Sequence, residues 1–232
     1  MERHAKGVGG KDAFTHHKFQ HATGTMAIPA QKVSGKLEVF AARPNKLVMK
    51  VAMPGLGDVT TGFNGEIGWV STAITGPMLL EGKMLEEVAT QADFDQALHN
   101  PADYKVMEVL GKEEFNGEEC YKVKLVHNRG FESTEFFSVK TGLQTGFIGT
   151  KETQFGAVAV TTLVSDYRKF GDLLSPVKNV QKVSGIETVT TIDSMEFDNV
   201  DPKVFEVPAE VKTLLEQKKK VAEQPAPEKK KI

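Results

Sequence analysis

Short β-type segments separated by turn residues follow one another along most of this chain, and this succession constrains the fold more than any other feature. Residues 161–168 and 187–195 are rich in Thr and Val, which favour extended backbone. Asn-Gly pairs at 64–65 and 116–117 suit the type I′ turns of tight hairpins. Serial hairpins of this kind predict a mainly β (α+β) fold built on one large antiparallel sheet.

The composition is typical of a globular protein and gives no sign of a nucleic-acid partner. Of the 232 residues, 40% are hydrophobic and 26% are charged, and the formal net charge is −2. No apolar run approaches the roughly 20 residues that a membrane-spanning helix needs. Met1 leads directly into a polar stretch rather than into a recognisable signal peptide. We expect one domain over residues 1–208.

Helical patterns occur near both ends of the chain and in one insert. Residues 2–18 fit a short helix interrupted by glycines at 7, 9 and 10. Between residues 75 and 100, apolar side chains recur at helical intervals, which predicts a helical insert. A further helix is predicted over residues 209–222. Residues 223–232 are rich in Lys, Glu and Pro and are predicted to form a disordered basic tail.

The sequence contains no recognisable catalytic, metal-binding or cofactor-binding motif. The glycine-rich segment at 7–11 is not a phosphate-binding loop, because Ala5 and Asp12 stand where Gly and Ser or Thr are required. His17 and His21 would share one face of a strand, but no Cys or carboxylate joins them at a metal-ligand spacing. We therefore predict a protein that is not an enzyme and that uses neither a metal nor a cofactor.

Apolar residues that alternate along the first half of the predicted sheet indicate a wall for an apolar ligand. Several are methionines, whose flexible side chains adapt to irregular apolar shapes. The helical insert would close this wall from the opposite side. An ordinary packed core between sheet and helix is the alternative interpretation. The residues predicted to line the site are Leu37, Val39, Met49, Val51, Met53, Phe63, Trp69, Met78, Leu80, Met84 and Val88.

Five segments, taken in their order along the chain, carry a family resemblance. They are FAARPNKL at 40–47, FNGEIGW at 63–69, FSVKTGL at 137–143, SDYR at 165–168 and NVDPKVFEVP at 199–208. Together they resemble the outer-membrane lipoprotein-sorting (LolA/LolB-like) superfamily, in particular its larger bacterial homologues. The resemblance covers residues 2–208.

The resemblance implies a large curved sheet, an incomplete or half-barrel, with short helices plugging its concave face over a cavity for acyl chains. It also implies export to the periplasm with removal of a signal peptide, and it gives Arg43 a role in gating the cavity. We therefore expect a periplasmic carrier of a lipid, or of the acyl chain of a lipoprotein. The alternative is a non-catalytic structural or accessory subunit that docks to a larger, membrane-associated complex.

Overall fold

The computed structural model describes residues 1–55, 57–153 and 156–222. Within these ranges the chain forms one antiparallel sheet of 13 strands. The strands are β1 (Phe19–Ile28), β2 (Val33–Ala42), β3 (Lys46–Met53), β4 (Gly57–Phe63), β5 (Gly68–Thr72), β6 (Gly76–Leu80), β7 (Tyr104–Phe115), β8 (Glu118–His127), β9 (Glu132–Ser138), β10 (Gln144–Thr153), β11 (Gly156–Phe170), β12 (Leu173–Val183) and β13 (Ile186–Phe197). The helices are α1 (Glu2–Gly7), α2 (Gly10–His16), α3 (Gly82–Gln91) and α4 (Ala209–Ala222).

The sheet consists of two series of neighbouring antiparallel strands, β1 to β6 and β7 to β13, and its first and last strands pair in its middle. The strand order is β6-β5-β4-β3-β2-β1-β13-β12-β11-β10-β9-β8-β7. Strand β1 pairs with β2 on one side and with β13 on the other. In the described sheet β6 and β7 are the two edge strands and do not pair with each other, so the sheet is not closed. The predicted mainly β fold is confirmed.

The two Asn-Gly pairs lie at hairpin turns, but only one forms a two-residue loop. Phe115 pairs with Glu118, and both intervening residues have positive φ angles, as a type I′ turn requires. At the other turn Phe63 pairs with Gly68, so the loop has four residues. There the Asn64 side chain accepts hydrogen bonds from two backbone N–H groups of the loop.

Helices α1, α2 and α3 cover one face of the sheet, which we call the inner face. Val88 of α3 packs against Phe63 of β4. Phe14 of α2 packs in a cluster with Leu173 of β12 and Phe197 of β13. None of the helices in the described part of the chain combines the length and apolar character needed to cross a bilayer.

Helix α4 covers the opposite, outer face at the β2–β6 end of the sheet. Val211 of α4 is fully buried and belongs to one cluster with Trp69 and Phe205. The indole ring lies across Gly62, where an added Cβ would come within 2.1 Å of a ring carbon. This end of the sheet is therefore packed between α3 on one face and α4 on the other.

The predicted helical insert over residues 75–100 is wrong in its first part. Residues Gly76–Leu80 form the edge strand β6, which pairs with β5, whereas Gly82–Gln91 form an α-helix and Gln96–Leu98 a short 3-10 helix. A single residue, Glu81, separates the strand from the helix. Apolar residues on both sides of this junction mimic a continuous helical period, because the two elements follow each other so closely.

Candidate ligand-binding cavity

A cavity of about 270 Å³, which we call the main cavity, lies on the inner face between β9–β12 and the elements that cover them. Phe147 of β10 and Val164 of β11 form part of its floor, and His4 of α1 and Ala97 form part of its cover. Its lining combines apolar side chains with hydrogen-bonding groups. Among the described residues that line it, Glu135 is a carboxylate and none is Lys or Arg.

Two smaller cavities extend from this region towards α3. One of about 90 Å³ is bordered by Thr90 of α3 and Phe147 of β10, and one of about 180 Å³ is bordered by Glu86 of α3 and Arg129. Phe131 borders both of them and the main cavity as well. The three spaces therefore lie around this single side chain.

A hydrogen-bonded carboxylate forms the centre of the polar side of the main cavity. Glu135 accepts hydrogen bonds from His99 Nε2 at 2.8 Å, from Gln144 Nε2 at 2.7 Å and from Ser133 Oγ at 3.3 Å. The other ring nitrogen of His99 lies 3.2 Å from the carbonyl oxygen of Ala97. Both ring nitrogens of His99 therefore face oxygen atoms, which fixes the orientation of the ring beside Glu135.

His4 completes this group and has an unused polar atom. Its side chain is only 3% exposed and lies edge-on to the rings of His99 and Phe137, with centroid distances of 5.3 and 5.1 Å. Nδ1 of His4 has no hydrogen-bond partner among the described residues. Burial, followed by the nearby His99, lowers the pKa of His4 to about 3. The ring is therefore neutral at physiological pH.

Two tyrosines add further hydrogen-bonding groups without adding charge. Burial raises the pKa of the Tyr104 hydroxyl, and the Glu135 carboxylate raises it further. Burial likewise raises the pKa of Tyr167, whose hydroxyl donates to the backbone carbonyl of Gln144 at 2.9 Å. Both side chains line the main cavity as neutral phenols. We call His4, His99, Tyr104, Glu135 and Gln144 the polar cluster.

The inner face also carries two clamps that hold α2 against the sheet. Arg43 pairs with both carboxylate oxygens of Asp95 at 2.6 Å and donates to the carbonyl oxygens of Phe14 and His17 at 2.7 Å. Its guanidinium carbon lies 4.7 Å from the centroid of the Phe94 ring. These contacts leave the Arg43 side chain only 24% exposed.

The second clamp is His17, which follows α2 directly. Nδ1 and Nε2 of His17 bond to Asp198 at 2.9 Å and to Asp172 at 2.8 Å, and its ring stacks on Phe197. Burial alone would lower the pKa of His17, but the hydrogen bonds to Asp172 and Asp198 outweigh burial and raise it. The imidazolium therefore joins the end of α2 to β13 and to the turn between β11 and β12.

The residues predicted to bind an apolar ligand lie mainly on the inner face, beside the main cavity rather than in it. Leu37 pairs with Val51 and Val39 with Met49, so these four share one face of β2 and β3, and Met53 continues it. None of the predicted residues is among the described residues that line the three inner-face cavities. Their ligand-binding role stays a prediction.

The part of the predicted wall beneath α3 is filled by side chains. Phe63, Leu80 and Val88 pack in one cluster with Ala89 and Leu85. Met84 lies one helical turn before Val88 on α3 and is partly buried. This cluster corresponds to the packed core that was the alternative interpretation of the pattern.

Two predicted wall residues are placed wrongly by the sequence pattern. Because Phe63 pairs with Gly68, Trp69 lies opposite Gly62 and points to the outer face, where α4 buries it. Met78 belongs to the edge strand β6 and is 42% exposed, so it cannot oppose the sheet as part of a helix.

The polar cluster is absent from the residues predicted for the site, because its members come from distant parts of the chain. One local signal does exist: Glu135 occupies the same alternating register of β9 as Ser133 and Phe137, which are both buried. An acidic residue at an inward-facing strand position needs a partner, and His99 provides it.

Neither a metal-binding group nor an activated thiol is found among the described residues. No group of three or more His, Cys, Asp or Glu side chains within the described ranges could hold a metal ion. Cys120 is fully buried, and burial raises the pKa of its thiol, which disfavours the reactive thiolate.

Comparison with solved structures identifies the fold. A DUF1329 family protein from Desulfovibrio piger superimposes with a TM-score of 0.59 at 11% identity, covering 84% of this chain and 92% of the other. A LolA superfamily protein from Nitrosomonas europaea gives a TM-score of 0.56 at 15% identity, covering 82% and 90%. A candidate outer membrane lipoprotein-sorting domain from Vibrio parahaemolyticus gives 0.53 at 11% identity, covering 85% and 91%.

These superpositions confirm, at the level of fold, the resemblance to lipoprotein-sorting proteins that the sequence predicts. No curated protein matches the sequence significantly. A family of domains of unknown function (DUF4412) matches residues 78–211, which is more than half of the chain. The chain therefore belongs to the DUF4412 family, and its sheet has the fold of LolA superfamily proteins.

Proposed function

We propose that this protein is a non-catalytic binding protein that carries a lipid or an acyl chain between its inner face and helices α1 to α3. The observation that carries this proposal is the main cavity with its two neighbours around Phe131. Ligand cavities are commonly about 300–1,000 Å³ and largely apolar, with a few polar groups that orient the ligand. The three spaces together approach this range.

The fold supports the same proposal. Its structural neighbours include a LolA superfamily protein and a candidate lipoprotein-sorting domain, and we extend that class of ligand to this chain. The bacterial periplasm is the compartment we propose, for the same reason. Arg43 would act as a latch in this carrier, because it ties α2 to the loop after α3, and both elements cover the inner face.

The proposal is tested by identifying what the native protein carries. The protein is purified from its own host without detergent, and an organic extract is examined by mass spectrometry. We expect a lipid or acylated species in near-stoichiometric amount. In the variant Asn179→Trp an indole would occupy the main cavity, which Asn179 lines, and this variant should carry less lipid.

The matched control is Lys178→Trp on the same strand. Lys178 is exposed, and its side chain points to the other face because neighbouring strand residues alternate. This variant should retain the lipid content of the wild type. The proposal would be contradicted if neither the wild type nor the variants carried lipid and the lipid-free protein bound no acyl probe. That result would favour the alternative, a subunit that docks to a larger complex.

A further inference from the structure

We infer that the polar cluster is a head-group subsite that selects uncharged amphiphiles bearing a hydroxyl group, such as monoacylglycerols or fatty alcohols. This inference rests on the proposed function, because it assigns the polar end of the same ligand. The apolar chain would lie along Phe131 and Phe147, and the head group would reach His4.

The first argument is the unused atom of His4. Burial of a polar atom without a hydrogen bond costs free energy, so native proteins rarely leave one unpaired. Nδ1 of His4 is such an atom, and the ring lines the main cavity. The carbonyl groups of Gly142 and Ala97 lie near the ring. In a neutral imidazole one ring nitrogen donates and the other accepts, so a ligand hydroxyl can satisfy Nδ1 in either tautomer.

The second argument concerns charge. Glu135 is 12% exposed and already bonded to His99, Gln144 and Ser133, so an anionic head group would meet a carboxylate. No Lys or Arg is present among the described residues that line the main cavity to pair with an anionic head group. A cationic head group would find Glu135 already paired with His99. Burying an unpaired charge here costs far more than burying a hydroxyl that finds a partner.

The third argument is the surplus of neutral hydrogen-bonding groups around the same space. The Tyr104 hydroxyl and the side chains of Ser175 and Asn179 also line the main cavity. Such groups can bond to a second hydroxyl or to an ester carbonyl of the ligand. A purely apolar ligand would form no hydrogen bond with any of them, so an alkane-like tail alone is a poor match.

The test measures binding of three amphiphiles that share one ten-carbon chain and differ in the head group. Monodecanoylglycerol, decanoate and decyltrimethylammonium are titrated into delipidated protein by calorimetry at neutral pH, below their critical micelle concentrations. We expect monodecanoylglycerol to bind at least about tenfold more tightly than either ion, which corresponds to the cost of a poorly paired charge in this site.

Two variants separate the head-group subsite from binding of the chain. His4→Phe keeps a ring beside Phe137 but removes Nδ1. It should weaken the binding of monodecanoylglycerol about fivefold, which is the effect of one net hydrogen bond. His16→Phe is the control, because His16 is exposed and outside the cavity. Glu135→Gln, which keeps the shape of the side chain, should raise the affinity for decanoate relative to monodecanoylglycerol.

Each outcome decides one of the two claims. Equal binding of the three amphiphiles, or tightest binding of decanoate, would overturn the head-group subsite while leaving acyl binding intact. If His4→Phe does not fold, Glu135→Gln decides. A ratio of the affinities for decanoate and monodecanoylglycerol that is the same in Glu135→Gln and in the wild type would overturn the inference. Absence of binding by any of the amphiphiles would contradict the proposed function itself and the subsite with it.

Discussion

Among individual side chains, Arg43 makes the contacts that most directly join a helix of the inner face to the rest of the molecule. Its guanidinium satisfies two backbone carbonyls and a carboxylate at once. Lysine could replace the charge but not this geometry, because its ammonium lacks the planar fork that pairs with a carboxylate through two bonds. The gating role that the resemblance implies for Arg43 can therefore be tested by measuring how stably α2 is attached to the rest of the molecule.

We expect Arg43→Leu to lower the free energy of unfolding by about 2 kcal/mol, because hydrogen bonds to a charged group are lost and two carbonyls are left unpaired. Arg43→Lys should lower the free energy of unfolding by about half as much. Hydrogen exchange should rise first in α2, since both carbonyl partners lie at its end. Unchanged exchange in α2, with a loss of stability spread over the sheet, would show that Arg43 does not act as a latch.

At the level of elements, the His17 clamp makes the attachment of α2 depend on pH. The raised pKa of His17 means that its contribution to stability is complete below about pH 6.5, the unperturbed value, and is lost as the pH rises through the folded-state value. His17 also lowers the pKa values of Asp172 and Asp198. Their contribution is present above about pH 4 and is lost on acidification below it.

The stability difference between wild type and His17→Phe should therefore be larger near about pH 5.5 than near about pH 8.5. Phenylalanine keeps the stacking on Phe197 and removes only the two ionic hydrogen bonds. Urea unfolding of both proteins at both pH values measures the difference. A difference that is constant with pH would show that His17 contributes by packing alone.

Helix α4 provides a second test at the same scale, through the only tryptophan of the chain. Trp69 is 1% exposed, and its cover includes Val211 of α4. Ending the chain at Pro208 should shift the Trp69 emission to longer wavelength and destabilise the protein. Val211→Ala should lower the free energy of unfolding by about 1–3 kcal/mol, because it leaves a cavity beneath α4. An unchanged emission spectrum after removal of α4 would contradict the packing of this helix on the outer face.

The elements that the sequence predicts correctly are those with a strong local signal. The turn at Asn116-Gly117 and the alternation along β2 and β3 depend on neighbouring residues, so both are readable from the chain. Strand β6 cannot be predicted from the local sequence, because its apolar residues fit a helical period and only its pairing with β5 makes it a strand. The side of the sheet that Trp69 faces depends likewise on register across a four-residue loop.

On the scale of the whole molecule, the ligand site depends on contacts between segments that are far apart in sequence. The main cavity combines α1, the segment after α3 and strands β9–β12, so no local pattern marks it. The apolar wall predicted on β2 and β3 lies on the same inner face but away from this cavity. The cavity that we propose and the wall predicted from the sequence are thus two neighbouring candidate locations for an acyl chain.

The central claim is that an acyl chain lies between β9–β12 and the helices of the inner face. The most direct test uses a fatty alcohol with a diazirine at the end of its chain, bound to the delipidated protein, activated by light and located by peptide mass spectrometry. We predict that the labelled peptides contain Phe131, Phe147 or Val160, which border the cavities. Labelling confined to the β2 and β3 residues Leu37, Val39, Met49, Val51 and Met53, or to the outer face around Trp69, would contradict this claim.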